Sequence, residues 1–413
     1  MKPPKINLLL QILIAIALGV GCAYIFPTWL ERLFITFNAI FSQFLSFLIP
    51  LIILGFVAPA ISEIGRGAGK VLLATVAIAY TATTLSGLMS FYVGDTLFPS
   101  LVSPGRLGDI PEDAGLQPYF TIDIPPLMSV MTALVAAFVT GICLAGIKGD
   151  VLKRGFSEFR EIVETTIRNV IIPLLPLYIF GIFLTMTVSG QVATVMASFV
   201  KIIGVIFAMH ILLLVVQYCI AGLVSGKNPF RLLATMLPAY FTALGTQSSA
   251  ATIPVTLRQS VKTGVSEEIA GFVVPLCATI HMSGSAMKIV ACAIALMLMQ
   301  GIDYDAASVV GFCCMLGISI VAAPGVPGGA IMASLGLLSS MLGFSEADQA
   351  LMIALYIAMD SFGTACNVTG DGFIALVVDR LFGRRHAGVM PAGVAVTDGS
   401  TEPRAVSCEQ ENM

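Results

Sequence analysis

Charged side chains are scarce in this chain: Asp, Glu, Lys and Arg make up 11% of its 413 residues, against about 25% in soluble domains. Hydrophobic residues reach 57%, which excludes an ordinary water-soluble fold and reads as an integral membrane protein. A single Trp and the lack of any basic stripe exclude a nucleic-acid surface. None of the nine cysteines stands in a CxxC pair, and most lie in apolar runs where a thiol is a small hydrophobe. Disulfide and metal-centre readings therefore fail. No Gly-x-Ser-x-Gly occurs and Ser249 has no His or Lys in its own stretch, so an enzyme reading lacks a base. A channel needs a continuous polar pore, whereas the polar groups here gather in one half of the chain.

Long hydrophobic runs are what the chain does have. Runs long enough to span a bilayer fall at 7–26, 34–62, 70–99, 127–147, 163–188 and 191–225. Lys2 and Lys5 precede the first, but no convincing small-residue cleavage site follows, so it is read as a retained span. The stretch 103–126 is the longest polar connection and is acidic; the tail beyond Gly388 is polar and expected to be disordered. Positive charges order the topology. Arg66, Lys70, Lys148, Lys153, Arg154, Arg160, Lys227, Arg231, Arg258 and Lys262 fall on one side, and Arg32 and Arg106 on the other. Both termini are then expected in the cytoplasm.

From Pro229 onward the apolar pattern is interrupted twice in the same way. A small polar tip at Thr246-Gln-Ser-Ser-Ala-Ala-Thr-Ile-Pro254 divides two short apolar arms, and Ala322-Ala-Pro-Gly-Val-Pro-Gly-Gly-Ala330 divides another pair. Each is followed by a span expected to break at polar small residues, His281-Met-Ser-Gly-Ser285 and Asn367-Val-Thr-Gly-Asp371. Charge placement sets the two units in opposite orientations. Paired interruptions in inverted halves point to a midplane binding site, because tips and unwound turns expose backbone groups to a ligand. The expected fold is all-α, with eight transmembrane helices plus two re-entrant helical hairpins in inverted repeats.

The second interruption carries the richest chemistry. In a helix, Asp360, Thr364, Asn367 and Asp371 share one face within an arc of roughly 60°. Each central carboxylate in lipid costs about 2.5–3.5 kcal/mol. The stripe must face protein, water or an ion. A satisfied structural network is the plain alternative; four aligned oxygens beside Gly363 and Gly370 favour a transport site.

Six spans, hairpin, broken helix, hairpin and helix, with Asn367-Val-Thr-Gly-Asp371, Ser248-Ser249 and Gly325-Val-Pro-Gly328, resemble the glutamate transporter family of dicarboxylate/amino acid:cation symporters. The resemblance runs to about residue 385. It implies a homotrimer in a bacterial-type inner membrane that moves a small amino acid or dicarboxylate by an elevator motion. Residues 1–68 and 127–190 would form a scaffold, 69–126 and 191–387 a transport unit, and 388–413 a cytoplasmic tail. It implies that Asp360 holds a substrate amine. Thr364, Asn367, Ser248, Ser249, Ser285, Val326, Gly328 and Gly363 would line the rest of the substrate site. It further implies sodium sites at Asp371, Asn367 and Cys277, at Thr279 and Met282, and at Tyr80, Thr83 and Thr84, some of them lost. No cofactor beyond Na⁺ or H⁺ as coupling ion is implied.

The departures from that pattern are specific. Members for acidic substrates carry Arg where Gly363 stands, and an Arg is replaced by Gln247 in the first tip. Asn-Met-Asp-Gly-Thr is replaced by His281-Met282-Ser283-Gly284-Ser285, which removes ion ligands; His281 and Ser283 stand in their places. Lys288 appears one turn further on, in apolar sequence that continues to Leu298 and gives little chance to snorkel. Its expected partners are Asp371, Asp360 or a substrate carboxylate. The substrate reading is an amino acid, small neutral ahead of aspartate or glutamate. Sodium coupling is expected to be reduced, or replaced by protons or by Lys288. A sodium-coupled dicarboxylate symporter is the alternative and an anion channel a distant one.

Overall fold

The computed structural model describes residues 8–65, 69–102, 116–190, 192–321, 323 and 328–383. All regular structure among them is helical. The first runs are α1 (Leu8–Cys22), α2 (Thr28–Gly65), α3 (Lys70–Leu101) and α4 (Val130–Gly146). Next comes α5 (Val151–Thr166), which continues through a π-helical turn at Ile167–Ile171 into α6 (Ile172–Val188); α7 is Val192–Ser225. All six expected runs are helices. The fifth is longer than its apolar core because the charged, amphipathic α5 is continuous with α6. The wide turn lies just ahead of Pro173 and Pro176, which cannot donate to the preceding turn.

The remainder of the chain is built twice over. α8 (Pro229–Thr246) and α9 (Ser249–Lys262) pack side by side across a tip at Gln247 and Ser248. They are followed by α10 (Glu267–Ile280) and α11 (Ser283–Gln300). Then α12 (Ala306–Val321) and α13 (Gly329–Leu342) form a second packed pair, followed by α14 (Glu346–Ala358) and α15 (Asp360–Val378).

The first interruption lies where it was expected. His281 leaves helical geometry at φ −99°, ψ 109°, and Met282 follows at φ −131°, ψ 43°. The second does not. Asn367–Asp371 lies inside the regular α15, and the break is at Met359 (φ −113°, ψ 9°). Gly363 and Gly370 lie within the unbroken helix, and neighbouring side chains occupy the space a Cβ would take: Lys288 beside Gly363, His281 and Gln217 beside Gly370. Most of the second tip, including Val326, lies outside the described residues, as do the expected tail and the acidic part of the outer connection.

Two large apolar cores result among the described residues, with a small third one between α1 and α6 around Ala15, Phe180 and Leu184. The larger joins α2, α4, α6 and α7 to α11, α13 and α14; the smaller joins α8, α10 and α15 with parts of α3 and α7. α11 sits at the centre and is buried along nearly its whole length. Leu13 and Leu18 of α1, Val135, Val139 and Ile142 of α4, and Ile211 and Leu223 of α7 are exposed, the apolar outer surface expected of helices in lipid.

The α2–α4 contact is made close by glycine. A Cβ at Gly141 would lie 2.8 Å from the Ala58 carbonyl oxygen and 2.7 Å from Ile61 Cβ. Gly141→Val should therefore destabilise the fold by about 1–3 kcal/mol. Gly146→Ala, with nothing within 4 Å, should leave the detergent melting temperature unchanged.

Candidate functional site

The starts of α11 and α15 meet in the interior, and the polar residues of both converge there. Asn367, two turns into α15, reaches across to the first turn of α11. Its Oδ1 accepts from the N–H of Gly284 (2.8 Å) and Ser285 (3.3 Å), and its Nδ2 donates to Ser285 Oγ (3.0 Å). A helix start leaves its first N–H groups without partners. Here a side chain from another helix satisfies two of them. The approach requires Gly284, where a Cβ would meet the Gly363 carbonyl at 2.7 Å.

One turn further into α11 stands Lys288, fully buried. Its Nζ donates to Asp360 Oδ1 at 2.9 Å and to the Met359 carbonyl at 3.4 Å, and lies 3.5 Å from the centre of the Tyr356 ring. Of the three partners expected for it, Asp360 is the one found. A Cβ on Gly363 would lie 2.7 Å from both Cε and Nζ of Lys288. The lysine thus fills the space that glycine opens on α15. The other oxygen of Asp360 accepts from the Gly328 N–H at 3.0 Å. Gly328 has φ +77°, a left-handed conformation suited to glycine, and caps the start of α13. The carboxylate sits at a positive helix end and against an ammonium.

The first tip reaches the same place. Gln247, at φ 55° a left-handed residue that is not glycine, donates through Nε2 to Ser361 Oγ at 2.8 Å. Such a conformation is strained and persists only where surroundings hold it. Adjacent residues at the head of α15 therefore reach two helix pairs, Asp360 the start of α13 and Ser361 the tip between α8 and α9. Ser248 caps α9 by accepting from the Ala251 N–H (3.2 Å); Ser249 opens that helix beside it. Thr364 is buried one turn beyond Asp360.

The residues expected to bind sodium divide. Asp371 Oδ1 lies 2.9 Å from His281 Nδ1, both side chains being buried. The Cys277 carbonyl accepts the His281 N–H at 2.9 Å. The Thr279 hydroxyl donates to the Leu276 carbonyl within α10. Thr83 Oγ1 accepts from the Met282 N–H (3.2 Å), and the Tyr80 hydroxyl donates to the Cys314 carbonyl (3.2 Å). Ser283 Oγ accepts from Gln217 Nε2 at 3.2 Å. Thr84 Oγ1, Gln217 Oε1 and His281 Nε2 are buried without a hydrogen-bond partner. Oxygens of the kind a hard cation takes are present, but protein groups already engage several of them.

Sequence reasoning missed Tyr356 and Gln217. Tyr356 donates to Ser285 Oγ (3.1 Å) and presents its ring to Lys288; its signal was its place one turn ahead of Asp360. Gln217 was legible as an amide inside an apolar run. His210 of α7 places Nε2 3.1 Å from the Gly284 carbonyl, a structural contact at the start of α11.

These features define a multi-pass membrane protein with a buried cluster of charged and polar side chains where the starts of α11, α13 and α15 meet. Residues 8–381 match the sodium:dicarboxylate symporter family, and the chain belongs to that family. A serine/threonine transporter, SstT, from Acinetobacter baumannii is 28% identical over 395 residues, covering 91% of this chain and 97% of the relative. SstT from Acinetobacter baylyi is 25% identical over 398 residues, covering 91% and 98%.

Asn367→Ala should destabilise the protein by about 2–4 kcal/mol, since it leaves two buried N–H groups unpaired and removes a third bond. Thr279→Ala, at an exposed hydroxyl, should change stability by less than about 0.5 kcal/mol. Unfolding in detergent compares the two.

Proposed function

We propose that the chain is a secondary carrier of small neutral amino acids of the serine and threonine class. The observation that carries this reading is the buried Asp360 at the junction of both tips, with Lys288 as its own counter-charge. A buried carboxylate in that position is the natural partner for a substrate ammonium. With Lys288 spent on Asp360 and glycine at 363, no unpaired cation stands beside Asp360 among the described residues to pair a second carboxylate. An acidic side chain is therefore disfavoured. The printed names of the SstT relatives support the same class.

On this reading α8–α9 and α12–α13 are re-entrant hairpins of inverted repeats, which with eight transmembrane spans complete the fold. Residues 69–126 and 191–387 move as an elevator against a scaffold of 1–68 and 127–190. The carrier is a trimer in the inner membrane with cytoplasmic termini. Sodium coupling is reduced, or replaced by protons or the fixed charge of Lys288. What supports this is that His281 occupies an Asp371 oxygen and that Asn367 is consumed in capping α11. The second reading, a sodium-coupled dicarboxylate symporter, draws on the family description and on Lys288 as a carboxylate partner once freed from Asp360.

In proteoliposomes, L-serine uptake should fall at least about tenfold in Asp360→Asn, a loss set by one missing charge-assisted contact, with the protein still folded. Undiminished uptake removes Asp360 from the site. Thermal stabilisation should follow serine, threonine or alanine rather than succinate or malate, reaching about 2.7 kcal/mol at a hundredfold excess over Kd. Stabilisation by the dicarboxylates alone establishes the second reading. Uptake driven separately by sodium and proton gradients tests the coupling; strict dependence on several sodium ions, indifferent to pH, overturns it.

A further inference from the structure

An ammonium has three N–H donors, and an ion pair with one carboxylate oxygen uses one of them. The other two decide whether Lys288 is open to a ligand. Its Nζ lies 2.9 Å from Asp360 Oδ1, 3.4 Å from the Met359 carbonyl and 3.5 Å from the centre of the Tyr356 ring. Three acceptors of this chain thus meet three donors at once. The carbonyl is the loosest of them, beyond the usual range for such a bond. The ring is therefore the principal partner after the carboxylate, since an aromatic face attracts a buried ammonium through its quadrupole.

Asp360 is less completely used. Lys288 takes one position on Oδ1 and the Gly328 N–H one on Oδ2, whereas a carboxylate offers about four acceptor positions. The pair keeps spare acceptors and no spare donor. Tyr356 itself is buried and fixed from its far end. Its hydroxyl donates to Ser285 Oγ (3.1 Å), which also accepts from Asn367 Nδ2 (3.0 Å). Ser285 and Lys288 are three residues apart in α11 and share a face. One tyrosine spans both, with its hydroxyl on the first and its ring on the second.

We propose that Tyr356 is a specificity-determining residue, whose ring takes the last donor of Lys288 and so withholds the cation of the site from acidic substrates. The inference rests on the carrier reading above and names what enforces its preference for neutral side chains. A substrate ammonium or hydroxyl finds the spare acceptors of Asp360. A side-chain carboxylate only accepts, so at this pair it loses its water without gaining a donor. Tyr356 acts through Lys288 and is in that sense a positioning residue.

The test measures binding of L-serine and of L-aspartate to the purified full-length protein by calorimetry. Wild type should bind serine at least about tenfold more tightly than aspartate. Tyr356→Leu leaves a buried N–H without an acceptor and should cut that preference about tenfold, the size of a desolvated cation–π contact. Tyr356→Phe keeps the ring face and should restore the preference. Trifluorophenylalanine at position 356 keeps the shape of that ring but removes its negative face, and should lower the preference as Leu does. In Lys288→Met the same ring changes should alter the preference by less than about twofold, because the cation through which they act is absent. A ring that only packs would respond neither to fluorination at constant shape nor to the loss of Lys288. If Tyr356→Leu or Lys288→Met does not fold, the fluorinated ring beside an intact Lys288 decides. Serine binding with an unchanged preference in the fluorinated protein overturns the inference and leaves the carrier reading standing. So does an equal loss of preference with and without Lys288. Wild type that binds no serine overturns the carrier reading itself, and this inference with it.

Discussion

The buried pair of Lys288 and Asp360 is the constraint on which the centre of this protein depends. Two opposite charges have been taken out of water, and desolvation of either one alone is far costlier than the pair. The pair survives because each member has further partners. Lys288 has the Tyr356 ring and the Met359 carbonyl, and Asp360 has the N–H at the start of α13. Glycine at 363 is a condition of this arrangement, since a side chain there would collide with the end of the lysine.

From that pair the rest of the site follows as a set of exchanges between interrupted helices. α15 lends Asn367 to cap the start of α11, and α11 returns Lys288 to neutralise the start of α15. The break ahead of α11 contributes His281 to Asp371 further along α15. Hydroxyls of α3 add to the clamp, with Ser86 Oγ donating to the Ser283 carbonyl and Ser90 Oγ to the Met287 carbonyl, each at 2.7 Å. In an apolar surrounding every exposed backbone group at a helix break needs such a partner. The breaks are consequently held from several elements at once.

The arrangement also explains why neighbouring residues can answer to both helix tips. Asp360 touches the start of α13 and Ser361 touches Gln247. A single helix start is thereby connected to two hairpin-like pairs that belong to different halves of the repeated architecture.

Much of this was written in local sequence. The apolar runs are long enough to declare their helices, because in lipid a backbone can satisfy its own hydrogen bonds only by coiling. The tip at 246–254, the break at His281, and the polar face of Asp360, Thr364, Asn367 and Asp371 were legible from composition and helical period alone. The sequence also showed Lys288 to be anomalous in an apolar run. What it could not decide was whom that lysine meets, or that the second break lies at Met359 and not at Asn367–Asp371. Both outcomes depend on the packing of α11 across α15, where Gly284 and Gly363 permit a close crossing and side chains from one helix occupy space left open on the other. Period and propensity act within a few residues along the chain, whereas Lys288 and Asp360 are 72 residues apart. Only the tertiary structure brings them within 2.9 Å.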